Sequence, residues 1–262
     1  MITICIILGI ILLLAILYFT VFIRPRGKAP KNPRLLCNYA HRGLHGKDVP
    51  ENSLDAFELA CKKGYGIELD VQLSRDGGVM VFHDYTLIRM TGEKGKLCEY
   101  DAKALKELKL SDSTQYIPTF KEVLALVNGR VPILVELKGE SLDTSLCSPV
   151  ADILKGYKGD YCIESFNPFL LAKMRELLKD AYYGQLYTNV CRDKKNYNPL
   201  NILLTGMTFN FIARPDFIAY NKKDRHSAVV KLTTRLYRAK KFVWTIKDGD
   251  KTDADEHAIF EK

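Results

Sequence analysis

The chain has 262 residues, 47% of them hydrophobic and 27% charged, a balance that excludes a disordered or fibrous protein and fits one large domain or two small ones. Seven cysteines at positions 5, 37, 61, 98, 147, 162 and 191 contain no CxxC pair, which argues against a zinc ribbon or a thioredoxin-like redox site, and their odd number fits a reducing compartment. The net charge of +8 is unevenly spread: residues 1–23 carry none, 24–34 carry five basic and no acidic residues, 189–241 carry twelve basic and three acidic ones, and the rest sums to −6.

The first element is the uncharged run of 22 residues from Ile2 to Ile23. As a helix it would span about 33 Å, against a hydrocarbon core of roughly 30 Å. A cleaved signal peptide would carry basic residues ahead of the run and small residues at its end. Here no Lys or Arg precedes it, and Tyr18, Phe19 and Phe22 stand at its end, so the run reads as a transmembrane anchor over 1–23. The basic cluster Arg24, Arg26, Lys28, Lys31 and Arg34 follows, which by the positive-inside rule puts the remaining chain in the cytoplasm. Residues 24–34, with three prolines, read as a short basic linker, and 35–262 as the folded domain.

Strand and helix signals then alternate. Strands are expected at Leu35–Ala40, Ile67–Val71, Val131–Leu137, Tyr161–Glu164, Tyr183–Tyr187, Phe217–Tyr220 and Phe242–Ile246. Helices are expected at Ser53–Lys63, Asp101–Leu108, Thr119–Val127, Ser148–Gly156 and Pro168–Lys179. This order predicts a parallel sheet. Several strands are apolar on both faces until their last residues, where Glu68, Asp70 and Glu136 occur; polar groups at the C-terminal ends of parallel strands are how a (β/α)8 barrel builds a site. Asp70 and His83 are too close in sequence for a crossover, and Asp76-Gly77 between them predicts a hairpin that sets residue 83 opposite residue 70.

Three carboxylates at one mouth, with no thiolate nearby, suit a hard cation, Mg2+ or Ca2+. His41 ends the first strand and His83 the hairpin, positions suited to acid–base work, whereas His45, His226 and His257 read as ordinary histidines. Arg42 and Lys138 add two cations suited to phosphate oxygens. Together these groups describe phosphoryl transfer better than carbonyl or glycosidic chemistry.

The run from Asn38 to Asp84 contains HRG, PENS, ELDVQLSRDG and FHD, and LVELKG at 134–139, ESFNP at 164–168 and VWTIK at 243–247 follow in order. In these motifs the chain resembles the glycerophosphodiester phosphodiesterase family over about residues 37–247. The resemblance implies a (β/α)8 TIM-type barrel of the PLC-like phosphodiesterase kind. It also implies divalent-cation-dependent hydrolysis of glycerophosphodiesters to sn-glycerol 3-phosphate and an alcohol. It makes Glu68, Asp70 and Glu136 the metal ligands, His41 and His83 the acid–base pair, and Arg42 and Lys138 the phosphate holders. Glu51 becomes a site residue, with Phe166 and Trp244 lining the pocket. The family's usual GIxTD-like segment is missing after Trp244, so the eighth strand is expected to be short or absent. A related reading is a lysophospholipase D or phospholipase-type activity on membrane lipid. A catalytically silent lipid-binding domain would have lost a histidine or carboxylate, and none is lost. The basic segment 189–241, with apolar Leu200–Ile212 inside it, reads either as a solvated barrel face or as a membrane-docking surface. It lacks the interleaved aromatics of a nucleic-acid binder.

Overall fold

Short strands of apolar and aromatic residues alternate with amphipathic helices along most of the chain. The computed structural model, which describes residues 2–139 and 141–262, resolves this alternation into a closed barrel. The elements in order are α1 (Ile2–Leu17), β1 (Tyr39–Ala40), α2 (Leu54–Lys63), β2 (Gly66–Leu73), β3 (Val79–Val81), α3 (Ile88–Thr91), α4 (Ala102–Leu105), α5 (Phe120–Val127) and β4 (Ile133–Leu137). They continue with α6 (Cys147–Gly156), β5 (Tyr161–Ser165), α7 (Pro168–Leu177), β6 (Tyr182–Tyr187), α8 (Val190–Lys194), α9 (Pro199–Thr205) and α10 (Asn210–Ala213). Last come β7 (Phe217–Asn221), α11 (Ala228–Lys231), β8 (Lys240–Ile246) and β9 (Glu256–Phe260).

Eight strands close in parallel in the order β1-β2-β4-β5-β6-β7-β8-β9, with β9 returning to β1. The eighth barrel strand therefore forms. It is short, at five residues, and its register sets Tyr39 beside Ile259 and Ala40 beside Phe260. The first strand is shorter than its apolar run suggests, because Pro33–Leu35 form a 3-10 turn and the Leu35 carbonyl accepts from the Tyr39 hydroxyl. The apolar stretch Leu200–Ile212 divides between α9 and α10.

The hairpin forms one register step from the expected one. Val71 lies opposite Val81 and Leu73 opposite Val79, and the Phe82 amide donates to the Asp70 carbonyl. The turn is centred on Asp76 alone: the Ser74 amide donates to Gly78, and the Ser74 hydroxyl donates to the Asp76 carboxylate. A loop with one central residue moves the pairing by one position, so Phe82, not His83, faces Asp70.

Inside the barrel, Tyr39, Phe217 and Phe242 fill the floor, the end where the strands begin, with ring centroids 4.3 Å apart for Phe217–Phe242 and 5.9 Å for Tyr39–Phe242. Gly184 on β6 is what lets Phe217 lie across it, since a Cβ there would sit 2.0 Å from that ring. A larger shell between strands and helices buries Phe57, Ile133, Leu171, Val243 and their neighbours.

The helix α1 and its π-helical continuation Tyr18–Phe22 carry no buried residue, but the chain just after them is built into the barrel. The Ile23 side chain is fully buried, and the Asn210 amide donates to its carbonyl at 2.8 Å. The following residues run along the floor rather than standing free: Arg26 pairs with Asp216, Lys31 with Asp180 and Arg34 with Asp160. Within 189–241, Lys222 pairs with Asp250, Arg225 with Glu256, Lys241 with Asp255, and Arg192 with Asp193 and Asp224, so part of that segment's charge is answered internally. Of the 1–23 segment, Met1 lies outside the described residues.

Candidate active site

Register brings the carboxylates together. Glu68 and Asp70 share one face of β2, and β4 pairs so that Glu136 stands beside Asp70. Glu68, Asp70 and Glu136 are buried, and each offers an oxygen within 4.8 Å of the others. Burial, reinforced by the neighbouring acids, pushes the Glu68 carboxyl well up. Burial likewise lifts Glu136 to about 7, with Lys138 opposing and Asp70 adding to the rise. Asp70 goes the other way: burial would raise it, but Lys138, His83 and Arg42 together outweigh burial and hold it low.

The cations expected to face a phosphate lie against these acids. The Lys138 ammonium sits 2.9 Å from Asp70 and 2.7 Å from Glu136. Arg42 adopts the left-handed conformation, donates its backbone amide to Glu68 at 2.7 Å and places its guanidinium 2.8 Å from Glu51 and 3.6 Å from Asp70.

Both histidines are held by carboxylates. His41 Nδ1 lies 2.7 Å from Glu261 Oε1, and its Nε2 lies 4.0 Å from Glu68. The Glu261 carboxyl is held down at about 2, chiefly by the His41 contact, with Lys247 helping on its second oxygen. His83 Nδ1 lies 2.6 Å from Asp84, which continues through Arg89 to Glu51. Burial tends to raise Asp84, but Arg89 and His83 hold it below its ordinary value. An ionised carboxylate can only accept, so each Nδ1 carries a proton, which leaves Nε2 of each ring as the atom available for proton transfer. Gln72 fixes the chain around His83 by donating to the carbonyls of Phe82, His83 and Asp84.

Phe166 and Trp244 meet edge to face with centroids 5.8 Å apart, and the Trp244 indole donates to the Ala219 carbonyl. The expected site residues His41, Arg42, Glu51, Glu68, Asp70, His83, Glu136 and Lys138 thus form one connected polar network, and Phe166 pairs with Trp244 as a wall.

Sequence reasoning passed over four further groups. Asn52, in the PENS motif, adopts the left-handed conformation and donates to Asp70 at 2.8 Å. Glu164 stands beside Glu136 on β5, buried, with one oxygen lacking a hydrogen-bond partner among the described residues, and burial pushes its carboxyl well up. Asp84 was visible in the FHD motif; Glu261 was not, since it follows the strand that closes the barrel. His45 lies with His41 and Glu261 in a second group of donor atoms within 4.8 Å of one another. A set of buried carboxyl oxygens, two of them on groups pushed toward protonation, with further unpartnered oxygens on Asn52 and Glu164, fits a hard divalent cation.

The glycerophosphoryl diester phosphodiesterase family model matches residues 41–259. A glycerophosphodiester phosphodiesterase of Caldanaerobacter subterraneus is 33% identical over 159 residues, which cover 56% of this chain and 65% of that protein. One from Bacillus altitudinis is 41% identical over 107 residues, 38% of this chain and 43% of that protein. The chain thus spans less than two thirds of the length of these curated relatives. The structure of the Thermotoga maritima glycerophosphodiester phosphodiesterase superposes with a TM-score of 0.63 at 28% identity, over 86% of this chain and 94% of that one. An Oleispira antarctica phosphodiesterase, solved with the product sn-glycerol 3-phosphate, shares the fold with a TM-score of 0.66 at 22% identity, over 86% and 92%.

Proposed function

The chain belongs to the glycerophosphoryl diester phosphodiesterase family, and from that premise we propose that it hydrolyses glycerophosphodiesters to sn-glycerol 3-phosphate and an alcohol. The observation that carries this reading is the pair of histidines, each with Nδ1 tied to an ionised carboxylate, at the rim of three buried carboxylates. Glu68, Asp70 and Glu136 would hold a divalent cation, Mg2+ or Ca2+, which neutralises and polarises the phosphodiester when bound. Lys138 and Arg42, already among these acids, compensate phosphate charge, and Glu51 steadies Arg42 from behind. One histidine takes the proton of the attacking oxygen at Nε2, and the other returns a proton to the departing alcohol. Phe166 and Trp244 offer an apolar wall to the carbon skeleton of glycerol or alcohol.

The helix Ile2–Phe22 is long and apolar enough to cross a bilayer, and we read it as a single-pass anchor with the barrel on the cytoplasmic side. Exposed Leu200, Ile202 and Leu203 beside that anchor favour a second reading, in which the diester is a lysophospholipid. Release of sn-glycerol 3-phosphate from glycerophosphocholine, glycerophosphoethanolamine and glycerophosphoglycerol, with a lysophospholipid in parallel and Mg2+ or Ca2+ present, tests both. Release from the first three supports the main reading, turnover of the lysophospholipid alone supports the second, and no turnover of any refutes both.

A further inference from the structure

The anchor and the barrel are in register along a shared direction, and that direction sets which end of the barrel meets the membrane. The crossover from β6 to β7 starts at the mouth, where the Thr205 carbonyl accepts from the Tyr187 hydroxyl at the end of β6. It ends at the floor, where the Arg214 carbonyl accepts from Arg175 and Asp216 precedes β7. The chain leaving α1 descends beside it. The Tyr18 hydroxyl donates to the Gly206 carbonyl, Phe22 meets Phe211 edge to face, the Ile23 carbonyl accepts from Asn210, and the Arg26 and Gly27 amides donate to the Pro215 carbonyl. Residues 18–27 therefore run from mouth to floor, and the sixteen residues of α1 continue in the opposite sense, toward the mouth side.

The two ends of the barrel also differ in surface. On the mouth side, the α8–α9 tip following β6 exposes Tyr197, Leu200, Ile202 and Leu203 (71%, 57%, 53% and 41% exposed), next to Lys194 and Lys195, which have no ion-pair partner among the described residues. A basic, aromatic and aliphatic cluster of this kind suits an anionic headgroup layer. An apolar recess lined by Phe166, Leu186, Val190, Leu204 and Met207 joins the mouth wall to α9. On the floor, the linker cations are answered by Asp216, Asp180 and Asp160.

We propose that the barrel is held with its catalytic mouth turned toward the bilayer and its α8–α9 tip seated in an anionic headgroup layer. The phosphodiester then enters from the lipid surface. This inference rests on the anchoring reading above, and its test separates the two.

The full chain is reconstituted in phosphatidylcholine–phosphatidylserine vesicles with plain or brominated acyl chains. The single tryptophan is first removed by Trp244→Phe, and one reporter is then added, either Leu203→Trp at the tip or Lys179→Trp at the floor. The expected result is a large loss of emission in brominated vesicles for Leu203→Trp and none for Lys179→Trp. Adding Lys194→Glu with Lys195→Glu should restore most of the lost emission while the protein still sediments with the vesicles. Quenching at the floor, or none at the tip in vesicle-bound protein, overturns the orientation while leaving the anchor standing. Protein that leaves the vesicles in carbonate overturns the anchor and the orientation together.

Discussion

Glu261→Gln and Glu261→Leu form a graded test of the proposed role of His41. Glu261 accepts the His41 Nδ1 proton at 2.7 Å and also meets Lys247 at 3.1 Å. Its carboxyl is held at about 2 against an ordinary 4.5, which taken whole corresponds to roughly 3 kcal/mol of preference for the ionised form. The group sits at the rim and is partly open to water, so screening reduces its share of folding stability to about 1 kcal/mol. A depressed carboxyl contributes that stability above its ordinary value, so it is present at neutral pH and lost as pH falls from about 4.5 toward 2. The catalytic effect is larger than the stability effect. A charge-assisted hydrogen bond that fixes tautomer and ring direction is worth about 1.5–3 kcal/mol, or roughly 10- to 100-fold in kcat. The Gln variant keeps an acceptor without the charge and should lose about 10-fold; the Leu variant keeps neither and should lose on the order of 100-fold. The assay is kcat and KM for glycerophosphocholine, with thermal melting as a check on folding. A folded Leu variant within a few-fold of the parent would refute the assignment of His41 to proton transfer through a carboxylate-oriented ring.

Glu68→Gln, Asp70→Asn and Glu136→Gln should each weaken Mg2+ or Ca2+ binding by calorimetry and lower turnover; a triple variant that works normally in EDTA ends the metal assignment. Because Glu136 is raised to about 7 in the fold, ionising it costs stability as pH rises from about 4.5 through 7. Cation-free protein should therefore melt lower at pH 8 than at pH 6, with added cation narrowing the gap. His83→Ala should reduce kcat by roughly 10²–10⁴ with the melting temperature nearly unchanged, and parent-like turnover would remove His83 from the mechanism. Gly184→Ala drives a methyl into the Phe217 ring and should lower the denaturation midpoint by the equivalent of about 1–3 kcal/mol; an unchanged midpoint would mean that the floor can yield.

The barrel and its mouth were legible because the strands are apolar on both faces and turn polar only at their ends. Ile133–Leu137 is buried throughout, and its one acid stands beside Asp70. The hairpin was legible as an element but not in register, since Ser74 and Asp76 build a turn around one residue where Asp-Gly suggests two. The eighth strand was ambiguous because EHAIF is short and opens on two polar residues, and one of the two strands that flank it lies more than 200 residues earlier. Glu261 was lost with it. Glu164 and Asn52 lay inside quoted motifs, but their roles depend on which oxygen is left without a partner, a property of packing rather than of spacing. Arg42 and Lys138 were legible as site cations, and their engagement with acids follows from the register that sets Asp70 beside Glu136.

The strand that seals the barrel also completes the site, and this imposes an order on biosynthesis. The His41 amide donates to the Phe260 carbonyl and its ring to Glu261, a partner 220 positions later. A ribosome must release nearly the whole domain before either contact can form. If the N-terminal helix enters a membrane first, it holds beside the lipid a sheet with two open edges, the kind of surface that pairs with whatever strand arrives. A nascent or interrupted chain lacking β9 would carry every other acid and base of the mouth, with His41 free to turn. The proposed activity would then wait for the β9 segment rather than accumulate strand by strand.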